Sequence, residues 1–126
     1  MIDAETVIRI HDFILSTEQG LPGGHGRGPV EGALARIDNR ILYAGLDDIF
    51  DIAAMYAVSI ARGHVFNDAN KRTALVTALT YLALQGVELA REPYLEDIMV
   101  LVAEGQLNEE ELSTILYSMA EKEGLI

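Results

Sequence analysis

Two almost wholly apolar segments constrain the fold of this chain more than any other feature of its sequence. Residues 51–62 read DIAAMYAVSIAR and residues 75–84 read LVTALTYLAL. In the first segment the apolar side chains go most of the way round a helix, which predicts a central, buried helix. The second segment predicts another apolar helix. The run between them, GHVFNDANKRTA over residues 63–74, is the densest polar cluster of the chain.

The two central helices are predicted to lie close to this polar run on both sides. The first is predicted to start at Asp47 or Asp48, and the second at Lys71 or Arg72. Gly63 fits the position just past the end of the first helix, where a left-handed conformation is common. We therefore expect a short motif loop between two buried central helices, with the start of the second helix next to it.

The rest of the chain also predicts helices, about six in all, and therefore an all-α fold. The N-terminal segment has apolar residues at helical spacing behind Asp3, a good N-cap residue. Pro93 is predicted to lie in the first turn of a later helix. Asn108 begins the last helix, with Glu111 placed for a capping box. On the first helix, His11 is expected to be a surface or half-buried residue.

A Gly- and Pro-rich segment separates the first helix from the next. Residues 18–29 predict a loop, and its length indicates that it is functional or mobile. We interpret this segment, which contains His25 and Arg27, as a flexible loop near the substrate or a partner. A short helix is predicted over VEGALARIDNR. The following ILYAGLDD is consistent with an extended segment or with a hairpin closed at Gly45.

Composition limits the class of protein. The chain has 126 residues, half of them hydrophobic, so we expect a single domain over residues 1–126. The formal net charge of -11 disfavours direct binding of nucleic acid. No apolar run is long enough for a membrane span, and the N-terminal segment does not resemble a signal peptide. Because the chain has no cysteine, it has no disulfide, which fits a cytoplasmic location.

The polar run has the residue types that a phosphate site needs. A helix N-terminus presents free N–H groups and a partial positive charge, and Lys71 and Arg72 add full charges there. Because cations weaken a helix start, their presence at this place indicates a bound anion. Asp68 is suited to Mg²⁺, which bridges carboxylate and phosphate oxygens. Histidine takes up a proton readily near neutral pH, so His64 is the candidate general base.

Each of these residues also has an ordinary structural explanation. His64 could bond the last carbonyls of a helix, Asp68 and Asn70 are common turn residues, and the cations could be solvated. Positions 64–72 nevertheless hold six polar residues, counting Asn67, between two core helices, and this density favours a phosphate or nucleotide site. Phe66 is predicted to be the apolar anchor of the loop, and Gly63 is predicted to be a structural anchor of the motif at the end of the first central helix.

The segment HVFNDANKRTA resembles the signature of the Fic/Doc family, H-x-F-x-[DE]-[GA]-N-[GK]-R. Its positions are filled in order by His64, Phe66, Asp68, Ala69, Asn70, Lys71 and Arg72. Two departures make the chain more similar to the death-on-curing (Doc) branch. Lys71 replaces the usual glycine of Fic enzymes, and Leu75 replaces a second arginine that helps those enzymes hold the terminal phosphates of ATP. The segments IHDFIL, GLPG and EGALARI extend the resemblance over most of residues 5–105.

The resemblance implies a compact helical fold and a specific activity. A Doc-like toxin phosphorylates a threonine of elongation factor Tu with ATP and Mg²⁺, and so stops translation. By this resemblance His64 is the base and Asp68 the Mg²⁺ ligand. The residues that hold the nucleotide phosphates are Ala69, Asn70, Lys71 and Arg72, together with the N–H groups of the helix start.

The resemblance also implies a partner. A Phd-like antitoxin would bind this chain, its disordered tail folding as a helix in a groove. No copy of the [ST]-x-x-x-E-[GN] helix of self-inhibiting Fic proteins is found, so inhibition is left to that separate protein. The segment ILYAGLDD matches the place of the Fic flap, which docks the target as an added strand. Two alternatives stay open: a Fic-type AMP transferase that modifies a protein hydroxyl, and a binding module without turnover.

Overall fold

The segments with helical periodicity form six helices in the computed structural model, which describes residues 1–126. They are α1 (Ala4–Thr17), α2 (Arg27–Ala44), α3 (Ile49–Gly63), α4 (Asn70–Leu84), α5 (Pro93–Ala103) and α6 (Glu109–Lys122). There is no β-sheet, and the one β-type contact is an isolated antiparallel bridge between Gly24 and Phe66. The predicted all-α fold is confirmed. None of the six helices is both long and apolar enough to span a membrane.

Helix α3 lies at the centre of the fold. It packs against α2, α4, α5 and α6, and ten of its fifteen residues are buried. Four alanines on α3 keep its surface narrow and so allow neighbouring helices to approach. All six helices contribute to one cluster of 33 buried hydrophobic residues. The prediction of a motif loop between two buried central helices is confirmed, because α3 and α4 are those helices.

The predicted helix starts are confirmed by their caps. The side chain of Asp3 accepts a hydrogen bond from the N–H of the third residue of α1. Asp48 caps α3 through two N–H groups of its first turn. Pro93 is the first residue of α5. At the start of α6, Asn108 and Glu111 form the complete capping box.

Helix α2 is longer than the sequence predicted. It begins at Arg27, within the expected loop, because Pro29 lies in the first turn, where a missing N–H costs nothing. The helix continues through residues 41–44, where an extended segment or a hairpin was predicted. Ile41 packs against the core about one helical turn beyond Ile37, and this packing outweighs the strand preference of Ile41 and Tyr43. Gly45 ends α2 in the left-handed region, at φ 64°. No strand forms at the expected flap.

The end of α3 also differs from the prediction by one residue. Gly63 is still helical, and His64 takes the left-handed conformation at φ 49° and ψ 40°. A Cβ atom at position 63 would lie 3.4 Å from a side-chain carbon of Val65, an ordinary contact, so this position does not require glycine. Helix α4 begins at Asn70, one residue before the predicted range.

The register of α4 can be tested with two leucines. Leu82 is fully buried, so Leu82→Ala is expected to lower the free energy of unfolding by about 2–5 kcal/mol. Leu84, on the same helix, is 67% exposed, and Leu84→Ala should change it by less than about 0.5 kcal/mol. Chemical denaturation measures both values. A loss at position 84 as large as that at position 82 would contradict this packing.

Candidate active site

The loop that joins α3 to α4 has an unusual backbone. It begins at His64 and ends at Ala69, which have φ angles of 49° and 64°. These are the only non-glycine residues of the chain with a positive φ. For such residues the left-handed conformation costs about 1–2 kcal/mol each, so the surrounding structure has to hold it. Strained residues at both ends of one short loop indicate a functional segment.

Asn70 closes this loop on itself. Its Oδ1 accepts a hydrogen bond from the N–H of Phe66 at 3.0 Å, and its Nδ2 donates to the carbonyl oxygen of Phe66 at 2.9 Å. The side chain therefore satisfies both polar groups of one buried residue across the turn. Phe66 itself is 7% exposed, so its predicted packing against the core is observed. The predicted role of Asn70 in binding phosphate stays a prediction.

The Gly-rich segment is bonded to the motif loop, which corrects the expectation of a flexible loop. Beside the bridge of Gly24, the N–H of His25 donates to the carbonyl of Val65 at 3.2 Å. The N–H of Asn67 donates to the carbonyl of Gly23 at 3.0 Å, and its side chain donates to Pro22. Helical periodicity does not reveal backbone hydrogen bonds between distant segments, so these bonds could not be predicted from it.

The start of α4 lacks the usual cap. Ala69 is at the N-cap position and provides no side-chain acceptor. Thr73 is the first residue whose N–H reaches a backbone carbonyl, that of Ala69 at 2.9 Å. The N–H groups of residues 70–72 therefore have no partner within the backbone. The first turn also lacks acidic residues, and Lys71 and Arg72 lie there instead.

A cleft of about 380 Å³ collects most of the predicted site residues. It is lined by Ala61, His64, Asn67, Asp68, Ala69, Asn70, Lys71, Arg72 and Ala103. Phe66 and Gly63 do not line it, and Phe66 lies behind the loop in the core. The sequence motif thus forms one surface on which a histidine, a carboxylate, two cations and the free helix start meet.

Asp68 is held as a carboxylate. Its Oδ2 accepts from the N–H of Leu21 at 3.1 Å, and its Oδ1 accepts from the N–H of Ala69 at 2.7 Å. The bond from Leu21 is the main cause that lowers the pKa of Asp68, followed by that from Ala69 and by the charges of Arg72 and Lys71. Asp68 is therefore ionised at neutral pH. Its side chain is 43% exposed and open to a ligand.

The two cations of the motif differ in their surroundings. The guanidinium of Arg72 donates to the main-chain oxygen of Gln19 at 2.9 Å and to Glu18 at 3.4 Å, and it lies 3.9 Å from Asp68. Lys71 is exposed and makes no hydrogen bond or ion pair with the protein. Arg72 is therefore oriented in advance, whereas Lys71 is free to meet an anion.

Glu18 is a site residue that the sequence did not reveal. It bonds both Arg72 and Arg91, and Arg91 also pairs with Glu96 on α5. The hydrogen bond from Arg91 is the main cause that lowers the pKa of Glu18. This ion-pair network ties the end of α1, the start of α4 and α5 together, and Arg72 connects it to the cleft. Its members are too far apart in the sequence for spacing to indicate it.

His11 corrects a second expectation. It is 1% exposed rather than a surface residue. Its ring stacks on that of Phe66 with centroids 3.8 Å apart and planes 8° apart. Its Nε2 lies 3.0 Å from the main-chain oxygen of Asp68. One signal was available, because His11 shares the apolar stripe of α1 with Val7 and Ile14.

Comparisons with known proteins agree on one family. A model described as Fic/DOC family matches residues 1–82, which include the whole motif loop. The chain is similar to "Protein kinase doc" of Escherichia phage P1, with 42% identity over 107 residues, or 85% of each chain. It is also similar to "Toxin Doc" of Mycolicibacterium smegmatis, with 43% identity over 58 residues, 44% of this chain and 45% of that protein.

Gly24 offers a test of the contact between the Gly-rich segment and the motif loop. A Cβ atom there would lie 2.6 Å from the carbonyl oxygen of Val65 and 3.0 Å from the Cα of Phe66. Because both are backbone atoms, Gly24→Ala is expected to separate the two segments. Amide hydrogen exchange at His25 and Asn67 should become faster, since their N–H groups join the segments.

The matched control is Gly32→Ala, inside α2 and not followed by a proline. A Cβ atom at that position would meet only the guanidinium of Arg36, at 3.8 Å, which is an ordinary contact with a flexible side chain. Alanine is also a better helix former than glycine, so this variant should be as stable as the wild type or more so. Equal exchange rates at His25 in the two variants would contradict the contact.

Proposed function

This chain belongs to the Fic/Doc family, and from that premise we propose that it is a Doc-like toxin with protein kinase activity. It would act as one domain that transfers a phosphoryl group from ATP to a hydroxyl group of a target protein. The relative named "Protein kinase doc" supports this chemistry, because it is 42% identical over 85% of both chains. The observation that carries the proposal is the uncapped start of α4 in the cleft.

The start of α4 suits the phosphates of a nucleotide. Three N–H groups, those of residues 70–72, lack a backbone partner, and they coincide with the positive end of the helix dipole. Lys71 adds a mobile charge, and Arg72 adds a planar guanidinium that is already oriented. Ala69 contributes only a methyl group and no side-chain acceptor that would compete with the ligand for these N–H groups. Phosphoryl transfer needs mainly positioning and charge neutralisation, and this arrangement supplies both.

Asp68 fits the Mg²⁺ that accompanies ATP. It is an ionised carboxylate, partly exposed at the cleft, with fixed N–H donors on both oxygens. No group of three or more His, Asp and Glu residues is arranged to hold a metal ion alone. This donor set suits Mg²⁺, which is commonly bound by one or two carboxylates together with substrate phosphates. When bound, the ion would neutralise phosphate charge.

His64 is the proposed general base. It lies on the rim of the cleft, exposed to solvent, so the hydroxyl of a protein substrate has access to it. Its ring would take the hydroxyl proton while the hydroxyl oxygen bonds to the γ-phosphorus. The bond from that phosphorus to the bridging oxygen then breaks, and ADP leaves with the two remaining phosphates.

Leu75 favours phosphate transfer over AMP transfer. Fic-type AMP transferases carry a second arginine at this position to orient the terminal phosphates of ATP. Here Leu75 is 1% exposed and belongs to the core, so α4 presents no second guanidinium to the cleft. Lys71 is the additional cation instead. The alternative, AMP transfer to a protein hydroxyl, would require another group to take the role of that arginine.

The target and partner that we propose follow from the family. The substrate would be a threonine of elongation factor Tu, which places the reaction in the cytoplasm and stops translation. The antitoxin would be a small Phd-like protein whose disordered tail folds on this chain. The net charge of -11 favours a tail that carries basic residues.

Labelled ATP separates the two reactions. Incubation of the chain with elongation factor Tu and γ-labelled ATP should label the factor, because phosphate transfer moves the γ-phosphorus. The same incubation with α-labelled ATP should leave it unlabelled. Transfer of label from α-labelled ATP alone would contradict the kinase proposal and support an AMP transferase.

His64→Ala tests the general base. Loss of the base is expected to lower the rate of transfer by about 10²–10⁴ and to leave nucleotide affinity nearly unchanged, since no phosphate contact is removed. Transfer rates at saturating ATP and the dissociation constant of ATP measure the two effects. His25→Ala is the matched control, because this exposed histidine bonds the motif loop only through its backbone.

The same variant distinguishes catalysis from simple binding. When expressed in a bacterial host, His64→Ala should be harmless while the wild type and His25→Ala arrest growth. Toxicity of His64→Ala equal to the wild type would overturn the enzymatic proposal and favour a binding module that acts without turnover.

A further inference from the structure

A buried histidine outside the motif contacts the motif loop at two points. His11 lies on α1, 57 residues before Asp68, and it is 1% exposed. Histidines are seldom buried so completely without a specific set of partners. The proposed reaction does not use His11, because the side chain does not line the cleft. Its burial therefore needs a separate explanation.

We propose that His11 is a positioning residue that fixes the carboxylate of Asp68 for a metal–nucleotide complex. This inference rests on the proposed function and deepens it. His11 touches neither the cleft nor a reacting atom. It acts through the peptide group that joins Asp68 to Ala69.

The direction of the hydrogen bond is set by chemistry. The main-chain oxygen of Asp68 is only an acceptor, so Nε2 of His11 is the donor across their 3.0 Å contact. Nδ1 faces Oδ1 of Asp12 at 3.2 Å. The ring face stacks on Phe66 at 3.8 Å. The hydrogen bond to Asp68 and the stacking on Phe66 leave the imidazole one orientation.

The peptide group after Asp68 is held from both ends. Its carbonyl accepts from His11, and its N–H, which belongs to Ala69, donates to Oδ1 of Asp68 at 2.7 Å. Because a peptide group is planar, its carbonyl and N–H rotate together. The bond to His11 therefore also fixes the N–H that holds the carboxylate. It supports the positive φ of Ala69 as well, at 64°.

The second oxygen of the carboxylate is fixed separately. Oδ2 of Asp68 accepts from the N–H of Leu21, which lies in the Gly-rich segment. Without His11, the bond from Leu21 to Oδ2 would remain, but the carbonyl of Asp68 would lose its donor. The peptide group between Asp68 and Ala69 would then be free to rotate. The carboxylate would then lose its orientation while the fold stays intact. The loss should appear in metal–nucleotide binding rather than in stability.

Two variants of similar length separate the hydrogen bond from the ring. His11→Gln keeps an N–H donor within reach of the Asp68 oxygen, and His11→Met removes the donor. Both variants lose the aromatic ring, so the stacking on Phe66 cancels in the comparison. Should His11→Met not fold, His11→Phe lacks the donor but keeps an aromatic ring, so it is compared with the wild type, whose ring also stacks on Phe66.

The first readout is the dissociation constant of a non-hydrolysable ATP analogue with Mg²⁺, measured by calorimetry. His11→Met is expected to bind about 10–100-fold more weakly than the wild type, as is typical when a residue that orients a metal ligand is lost. His11→Gln should bind close to the wild-type value. Equal binding by the two variants would overturn the role of the His11 donor.

The second readout needs no ligand. Amide hydrogen exchange at Ala69 in the free protein should be faster in His11→Met than in His11→Gln, because only the former frees the peptide group. Failure of the wild type to bind the analogue would overturn the proposed function, and this inference with it. Normal binding by the wild type and by His11→Met, with unchanged exchange at Ala69, would overturn the inference alone.

Discussion

The packing of α3 against α4 is the constraint on which the rest of the structure depends. Both helices are buried on most sides, so their directions are fixed by the core and not by the loop between them. Six residues, 64–69, have to reverse the chain over this fixed distance. The loop meets the requirement with left-handed residues at both of its ends. Because the loop ends at Ala69, which has no side-chain acceptor, the start of α4 is uncapped where it lines the cleft.

The strain of the loop is offset by contacts from elsewhere in the chain. Asn70 holds the Phe66 backbone, and the Gly-rich segment bonds both sides of Phe66. His11 and Leu21 secure the two ends of Asp68. Because these contacts hold the backbone of the loop in place, the loop does not fold over the free N–H groups at the start of α4. The proposed phosphoryl transfer, which depends mainly on positioning, requires pre-organisation of this kind.

Much of the fold could be predicted from the sequence because local signals agreed with tertiary packing. The caps at Asp3, Asp48 and Asn108 identified three helix starts, and apolar periodicity identified the two central helices. The end of α2 could not be predicted in this way. Ile41 and Tyr43 favour strands, and the packing of Ile41 on the core, which supports the helix there, is a tertiary contact that local preference does not show.

The site likewise has a part that could be predicted from local sequence and a part that depends on tertiary contacts. The motif residues that line the cleft are contiguous in sequence, so one segment predicted their meeting. The residues that hold them, His11 and Glu18, are distant in the chain and make contacts that no spacing rule describes. Backbone donors such as that of Leu21 are invisible to any argument from side-chain types. The sequence thus predicted which residues meet in the cleft but not the residues that support them.

A crystal structure of the chain with Mg²⁺ and a non-hydrolysable ATP analogue tests the central claim most directly. The account predicts the terminal phosphates within hydrogen-bond distance of the N–H groups of residues 70–72, Lys71 against a phosphate oxygen, and Mg²⁺ on the carboxylate of Asp68. An analogue bound elsewhere, with the start of α4 still free of phosphate, would contradict it.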